Sequence, residues 1–222
     1  MRTSAVAGVR RAEAIGSGNT RAALSLLACT LLWPEATRAE ELGTQYNLTF
    51  AAERLFGLYI DNQSVGDNDV DYSVVALGWN RQASSSSLST PRLGVDFFLT
   101  DGFTVGGVLG FFSHNQDARG TSNTTTGVLF GARAGYALRL GHAVSFWPRG
   151  GFTYATVNSD AGADQHLFAL TIDAPFTLSP AEHVAILAGP VLELVLTGKQ
   201  SRIDYDEVLF GLMLGLTGWV GL

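Results

Sequence analysis

Residues 125–140 read TTGVLFGARAGYALRL, and the parity of this stretch decides the fold. On an extended chain Val128, Phe130, Ala132, Ala134, Tyr136 and Leu138 share one face, while Gly131, Arg133, Gly135 and Arg139 share the other. Period-two alternation marks a strand. The segment is also longer than the roughly five or six residues usual for a strand in a soluble sheet, and long enough for a tilted strand to cross a bilayer, which takes about 9–11 residues.

The same alternation extends in both directions from this stretch. Eight segments carry it, at approximately 46–60, 91–99, 103–114, 125–140, 143–157, 165–178, 183–197 and 207–222. Thr100-Asp101-Gly102, Gly141-His142 and Ser179-Pro180-Ala181-Glu182 make tight turns, and longer polar segments fall at 61–90, 115–124, 158–164 and 198–206. Asp71 to Asn80 is also strand-like and is expected to extend the first loop as a hairpin outside the membrane, with Ser84 to Ser87 beside it as a flexible loop. Short connections on one side and long ones on the other describe an all-β, eight-stranded antiparallel up-and-down transmembrane β-barrel with its long loops outside. A closed sheet is one of two ways to satisfy every backbone donor and acceptor in hydrocarbon.

Parity then sorts the side chains. Arg or Lys on the lipid face near the midplane costs about 2–4 kcal/mol, so the charged set must line the interior. That set is Glu53, Arg92, Asp96, Arg133, Arg139, Arg149, Asp173 and Glu193, four basic and four acidic groups expected to form a lumenal charge network. Arg92 and Arg139 are expected nearer the rims and solvated. Arg54 shares parity with Phe50, Phe56, Leu58 and Ile60, so a β-bulge near 53–55 is expected to turn it inward. Interior glycines such as Gly94, Gly106, Gly131, Gly135 and Gly151 leave room in a narrow lumen. Tyr46, Phe97, Phe103 and Phe176 are assigned to an inner aromatic girdle, and Phe111, Tyr154, Phe168 and Phe210 to an outer one.

The 222-residue chain is 46% hydrophobic and 15% charged, yet its longest apolar runs, Ala22 to Trp33 and the interrupted Phe210 to Leu222, are short for a spanning helix. The first run follows Arg2, Arg10, Arg11 and Arg21 and precedes Thr37-Arg38-Ala39, the pattern of a secretory signal peptide over residues 1–39, leaving 40–222 as the barrel domain. N-terminal sequencing of the membrane-extracted protein is expected to begin at Glu40; a lipidated start at Cys29 would instead mark Leu26-Leu27-Ala28-Cys29 as a lipoprotein box. Cys29, the only cysteine, falls within the leader, so the mature chain has no thiol. The mature chain has 9 basic and 18 acidic side chains, a net charge of −9, which argues against a nucleic-acid partner.

In these features the chain resembles the small bacterial outer-membrane β-barrels of the OmpA-transmembrane-domain type. The resemblance covers about residues 46 to 222 as architecture. It implies export through the periplasm to the outer membrane, contact with outer-membrane lipids and lipopolysaccharide, recognition by the assembly machinery, and a monomer. Family members commonly end in Phe or Trp; here Trp219 precedes Leu222.

The functional expectation is a non-enzymatic structural or surface-exposed scaffold with a side-chain-plugged lumen. The alternatives are a narrow pore and a lipid-modifying enzyme. An eight-stranded barrel leaves an interior just large enough for its side chains, which disfavours a wide channel. Four histidines fail to converge: His142 and His183 fall at inner turns, His114 on the interior parity and His166 on the lipid-facing parity, and Ser113 beside His114 lacks a third partner. Asp67, Asp69 and Asp71 imitate a calcium loop, but Tyr72 stands where glycine is required, so neither metal nor cofactor is expected.

Overall fold

The computed structural model describes residues 42–66, 68–77, 86–118, 121–160 and 164–222. The expected leader with Cys29 and its cleavage site lies outside the described residues, as do Asp67, Ser84 and Ser85. In chain order the strands are β1 (Asn47–Val65), β2 (Asn68–Leu77), β3 (Arg92–Phe98), β4 (Phe103–Ala118), β5 (Thr121–Tyr136), β6 (Leu138–Arg139), β7 (Val144–Phe146), β8 (Arg149–Ser159), β9 (Gln165–Asp173), β10 (Phe176–Ala181), β11 (Val184–Gln200) and β12 (Ile203–Gly221).

Antiparallel pairing runs β1–β3–β4–β5–β8–β9–β11–β12 and closes from β12 back to β1. The result is an eight-stranded barrel, in which β6, β7 and β10 continue the walls of β5, β8 and β9 toward the inner end. The breaks fall at Ala137, Trp147-Pro148 and Ala174-Pro175. Pro148 and Pro175 have no N–H for the ladder, so expected strands five and six each kink there. Parity survives both kinks: Ser145, Arg149, Asp173 and Thr177 are buried, while Phe152, Ile172, Phe176 and Leu178 are exposed.

Outward positions carry apolar side chains, including Phe50, Leu58, Leu93, Leu109, Phe130, Phe152, Ile186 and Leu212, all exposed. A soluble monomer rarely shows contiguous apolar surface beyond a few hundred Å². This belt is the lipid-facing wall of a barrel, and a lipocalin-like inside-out arrangement is excluded by the charges buried within. Tyr46 lies 6.4 Å from Phe97 and Phe146 lies 5.0 Å from Phe176 near the inner edge. Phe130 pairs with Tyr154 and Phe152 stacks on Phe168 in the outer half.

Above this belt the outward residues turn polar, at Asn62, Ser113, Thr126, His166, Thr197 and Asp206. Most of the four long connections are ladder rather than loop. β1 continues to Val65, β4 and β5 pair out to Ala118↔Thr121, and β11 pairs β12 at Lys199↔Asp204. Polar, β-competent residues can face water on both sides once the strand leaves the bilayer, so the sheet does not stop at the membrane.

The first connection departs most from the sequence reading. β2 does form a hairpin with β1, but it descends to Leu77↔Phe56, beside the apolar positions Leu58 and Ile60, instead of remaining outside. β3 is correspondingly short. It pairs β1 only from Leu48↔Phe97 to Glu53↔Arg92, so β1 meets β3 in its inner half and β2 in its outer half. Ser86 and Ser87, expected in a flexible loop, are buried.

Candidate functional site

The lumen is filled in layers, and its residues come from every wall strand. At the inner end Leu42, Phe98, Trp147, Ala185, Leu187 and Trp219 form an apolar cluster. Trp147 donates its indole N–H to Thr104 Oγ1 at 3.3 Å, and its ring lies 5.7 Å from Phe98.

A five-residue charge layer follows. Arg133 donates from Nε and Nη2 to the two oxygens of Asp96, at 2.8 and 2.6 Å, and from Nη1 and Nη2 to the two oxygens of Glu53, both at 2.8 Å. Arg149 donates to Asp173 Oδ1 at 2.6 Å and to Glu53 Oε1 at 2.7 Å, with its guanidinium 4.6 Å from the Trp147 ring. Two-pronged guanidinium–carboxylate pairs are the strongest neutralising geometry available to buried charges. The glycine parity serves this layer: a Cβ on Gly94 would lie 2.5 Å from Arg133 Nη2, and one on Gly151 would lie 2.7 Å from Arg133 Cβ.

The next layer depends on the bulge. Between Ala52↔Leu216 and Phe56↔Leu214 the register slips, and Arg54 takes a left-handed φ of 58°. Consecutive residues therefore both point inward, with Glu53 2% and Arg54 1% exposed. Arg54 pairs with Glu193 through both carboxylate oxygens, at 3.1 and 3.0 Å. Arg92 reaches the same carboxylate at 2.8 Å, and Thr171 Oγ1 donates to it at 2.8 Å. Between the two layers a cavity of about 10 Å³ remains, beside Glu53, Arg54, Arg92, Arg133 and Asp173. That is space for about one water.

Outside the charges lies a second apolar layer made by Tyr59, Leu129, Leu167, Val191, Leu209 and Met213 around Leu88. Leu88 belongs to a strap, Ser86–Thr90, that folds into the lumen through a single 3-10 turn at Ser87–Ser89. Ser86 Oγ accepts from the Leu88 N–H at 2.8 Å and caps the turn. The Leu88 carbonyl accepts from Arg54 and Arg92, which ties the strap to the charge layer below. Near the outer mouth, above the apolar belt, Tyr205 donates its hydroxyl to Glu207 at 2.5 Å. Burial, reinforced by the Glu207 carboxylate, pushes the Tyr205 phenol up, so it stays protonated and remains a donor.

Seven of the eight sequence-assigned network residues sit in these buried layers; Arg139 does not. It is exposed at the inner rim, where it donates to Thr44 Oγ1 at 3.2 Å. Arg92, expected near a solvated rim, is 2% exposed because the strap lies over it. The bulge turns Arg54 inward as its parity conflict required, and makes it a ninth charge that the assigned network lacked. Ser113 and His114 fall on opposite faces of β4, so they form no catalytic pair. Among the described residues no group of three or more His, Cys, Asp or Glu is placed to hold a metal ion.

No family model matches the chain, and no curated protein matches it. Solved structures do. The Neisserial surface protein A, NspA, superposes with a TM-score of 0.51 at 11% identity, over 78% of this chain and 97% of that one. OprG from Pseudomonas aeruginosa gives 0.49 at 12%, over 81% and 99%. The N-terminal β-barrel domain of Pseudomonas aeruginosa OprF gives 0.45 at 16%, over 78% and 98%. At such identity the likeness to NspA is one of fold, and that fold is the small eight-stranded outer-membrane barrel.

Proposed function

We propose that this chain is a non-enzymatic outer-membrane scaffold, a closed barrel that anchors its outer hairpins in the membrane and conducts no solute. The observation that carries the reading is the filling of the lumen by two ion-pair layers, with space for about one water between them, inside an apolar outer belt. A pore needs a continuous polar path, whereas here apolar layers stand on both sides of the charges. On this reading residues 1–39 direct export and are removed. Outer-membrane lipids, lipopolysaccharide among them, surround the belt, the assembly machinery folds the barrel, and the unit is a monomer. Recognition falls to the hairpins β1–β2, β4–β5, β8–β9 and β11–β12, which rise above the belt.

Fractionation of expressing cells tests the placement. The protein should leave the outer-membrane fraction only with detergent and should migrate faster on a gel unheated than boiled. In intact cells a membrane-impermeant thiol reagent should label Ser201→Cys at the β11–β12 turn and leave Thr100→Cys at the β3–β4 turn unlabelled. Recovery without detergent, or the reverse labelling pattern, would overturn the reading.

A further inference from the structure

The strap Ser86–Thr90 occupies the outer lumen the way a ligand occupies a pocket. It inserts one branched apolar side chain, Leu88, into the chamber of Tyr59, Leu129, Leu167, Leu209 and Met213, and presents one carbonyl oxygen to two guanidinium groups on the floor. Two independent features show that the strap leaves this floor incompletely matched.

The first is charge. Arg54 and Arg92 share one carboxylate, Glu193, so the trio carries a net positive charge. Glu53 stands opposite Arg92 in the β1–β3 ladder, but its oxygens are engaged by Arg133 and Arg149. The opposite surplus, Glu53, Asp96 and Asp173 against Arg133 and Arg149, lies in the layer below, and from its own side the strap offers the two guanidinium groups a neutral carbonyl.

The second is geometry. Glu193 takes the Nη1 and Nη2 side of Arg92. On the other edge Leu88 O accepts from Nη2 at 2.8 Å, while the buried Nε finds no acceptor among the described residues. That edge is a two-donor fork with one prong used. In the same region the Tyr59 hydroxyl, Ser87 Oγ and Thr90 Oγ1 are also buried without a partner among the described residues. A carboxylate spans the Nε/Nη2 edge of a guanidinium with its two oxygens, where a single carbonyl cannot.

We propose that the outer lumen is a binding pocket for a small aliphatic carboxylate, in which Leu88 and its carbonyl stand in for the ligand. The ligand's short branched chain takes the Leu88 chamber, its carboxylate takes the free Arg92 edge with both oxygens, and the strap leaves as the ligand enters. The pocket does not depend on whether the barrel conducts, so a conductance result bears on the scaffold reading alone.

The test uses 4-methylpentanoate, a water-soluble acid with the leucine side chain, against the neutral 4-methylpentanamide. The barrel is purified in detergent as the Cys29→Ser, Ser87→Cys variant, and maleimide labelling of position 87 reports strap displacement. The acid should raise the labelling rate saturably. The amide should need at least about tenfold more, since it lacks the charge-assisted bonds. Leu88→Ala, a poorer occupant, should bind the acid about tenfold tighter or better, with Leu88→Val between it and the parent. Unheated gel mobility verifies that each variant is folded. Labelling that ignores the acid, acid and amide acting alike, or no gain in affinity from either Leu88 substitution would overturn the proposal.

Discussion

Glu193→Ala should destabilise the barrel by about 3–5 kcal/mol, the usual consequence of removing one partner from a buried ion pair. Glu193 is fully buried and, among the described residues, is the one carboxylate paired with both Arg54 and Arg92. Without it two guanidinium groups face each other beneath the strap, and Thr171 loses its carboxylate acceptor. Glu193→Gln keeps the shape and an acceptor oxygen but not the charge, so it should recover a minor part of the loss. Replacing the trio together, as Arg54→Met, Arg92→Met and Glu193→Leu, should recover most of it, because desolvating an ion pair offsets much of its attraction. Urea unfolding of the refolded barrel, followed by tryptophan fluorescence, measures all three. A loss under about 1 kcal/mol in Glu193→Ala would mean that the layer is hydrated rather than sealed.

Arg133→Ala should cost at least as much, about 3–5 kcal/mol, because one guanidinium there makes four hydrogen bonds to two buried carboxylates. Its removal strips Asp96 of its hydrogen-bonded ion pair and leaves Glu53 with Arg149 alone. The vacated volume adjoins the small cavity between the layers, so water can enter, and a leak should accompany the loss of stability. Arg133→Lys should rescue only part, since an ammonium is a point charge that cannot fork to two carboxylates at once. Full rescue by lysine would show that charge alone, and not the forked geometry, holds the layer.

The barrel was legible in the sequence because parity is a local property. Apolar and charged residues alternate along every wall strand, and lipid outside with a narrow lumen inside leaves one assignment of the two faces. Even the exception was informative: Arg54 on the lipid parity pointed to a bulge before any register was known. The pairing of specific charges was less legible, because parity says which way Arg133 points and not which strand brings its partner. The strap was not legible at all. Ser84 to Ser87 has the composition of a solvated turn, and nothing local marks Leu88 as buried; its burial comes from a chamber assembled by β1, β5, β9 and β12. Arg92 was misplaced for the same reason, since the segment that covers it is that strap. The outer hairpins were read as loops because their polar residues break the alternation, although a ladder in water needs no apolar face.

Planar-bilayer recording of the purified wild-type protein tests the filled lumen most directly. Apolar layers at both ends and two ion-pair layers between them predict little or no steady conductance at neutral pH. A large, stable wild-type conductance would contradict the account, since it would need a continuous water path through those layers.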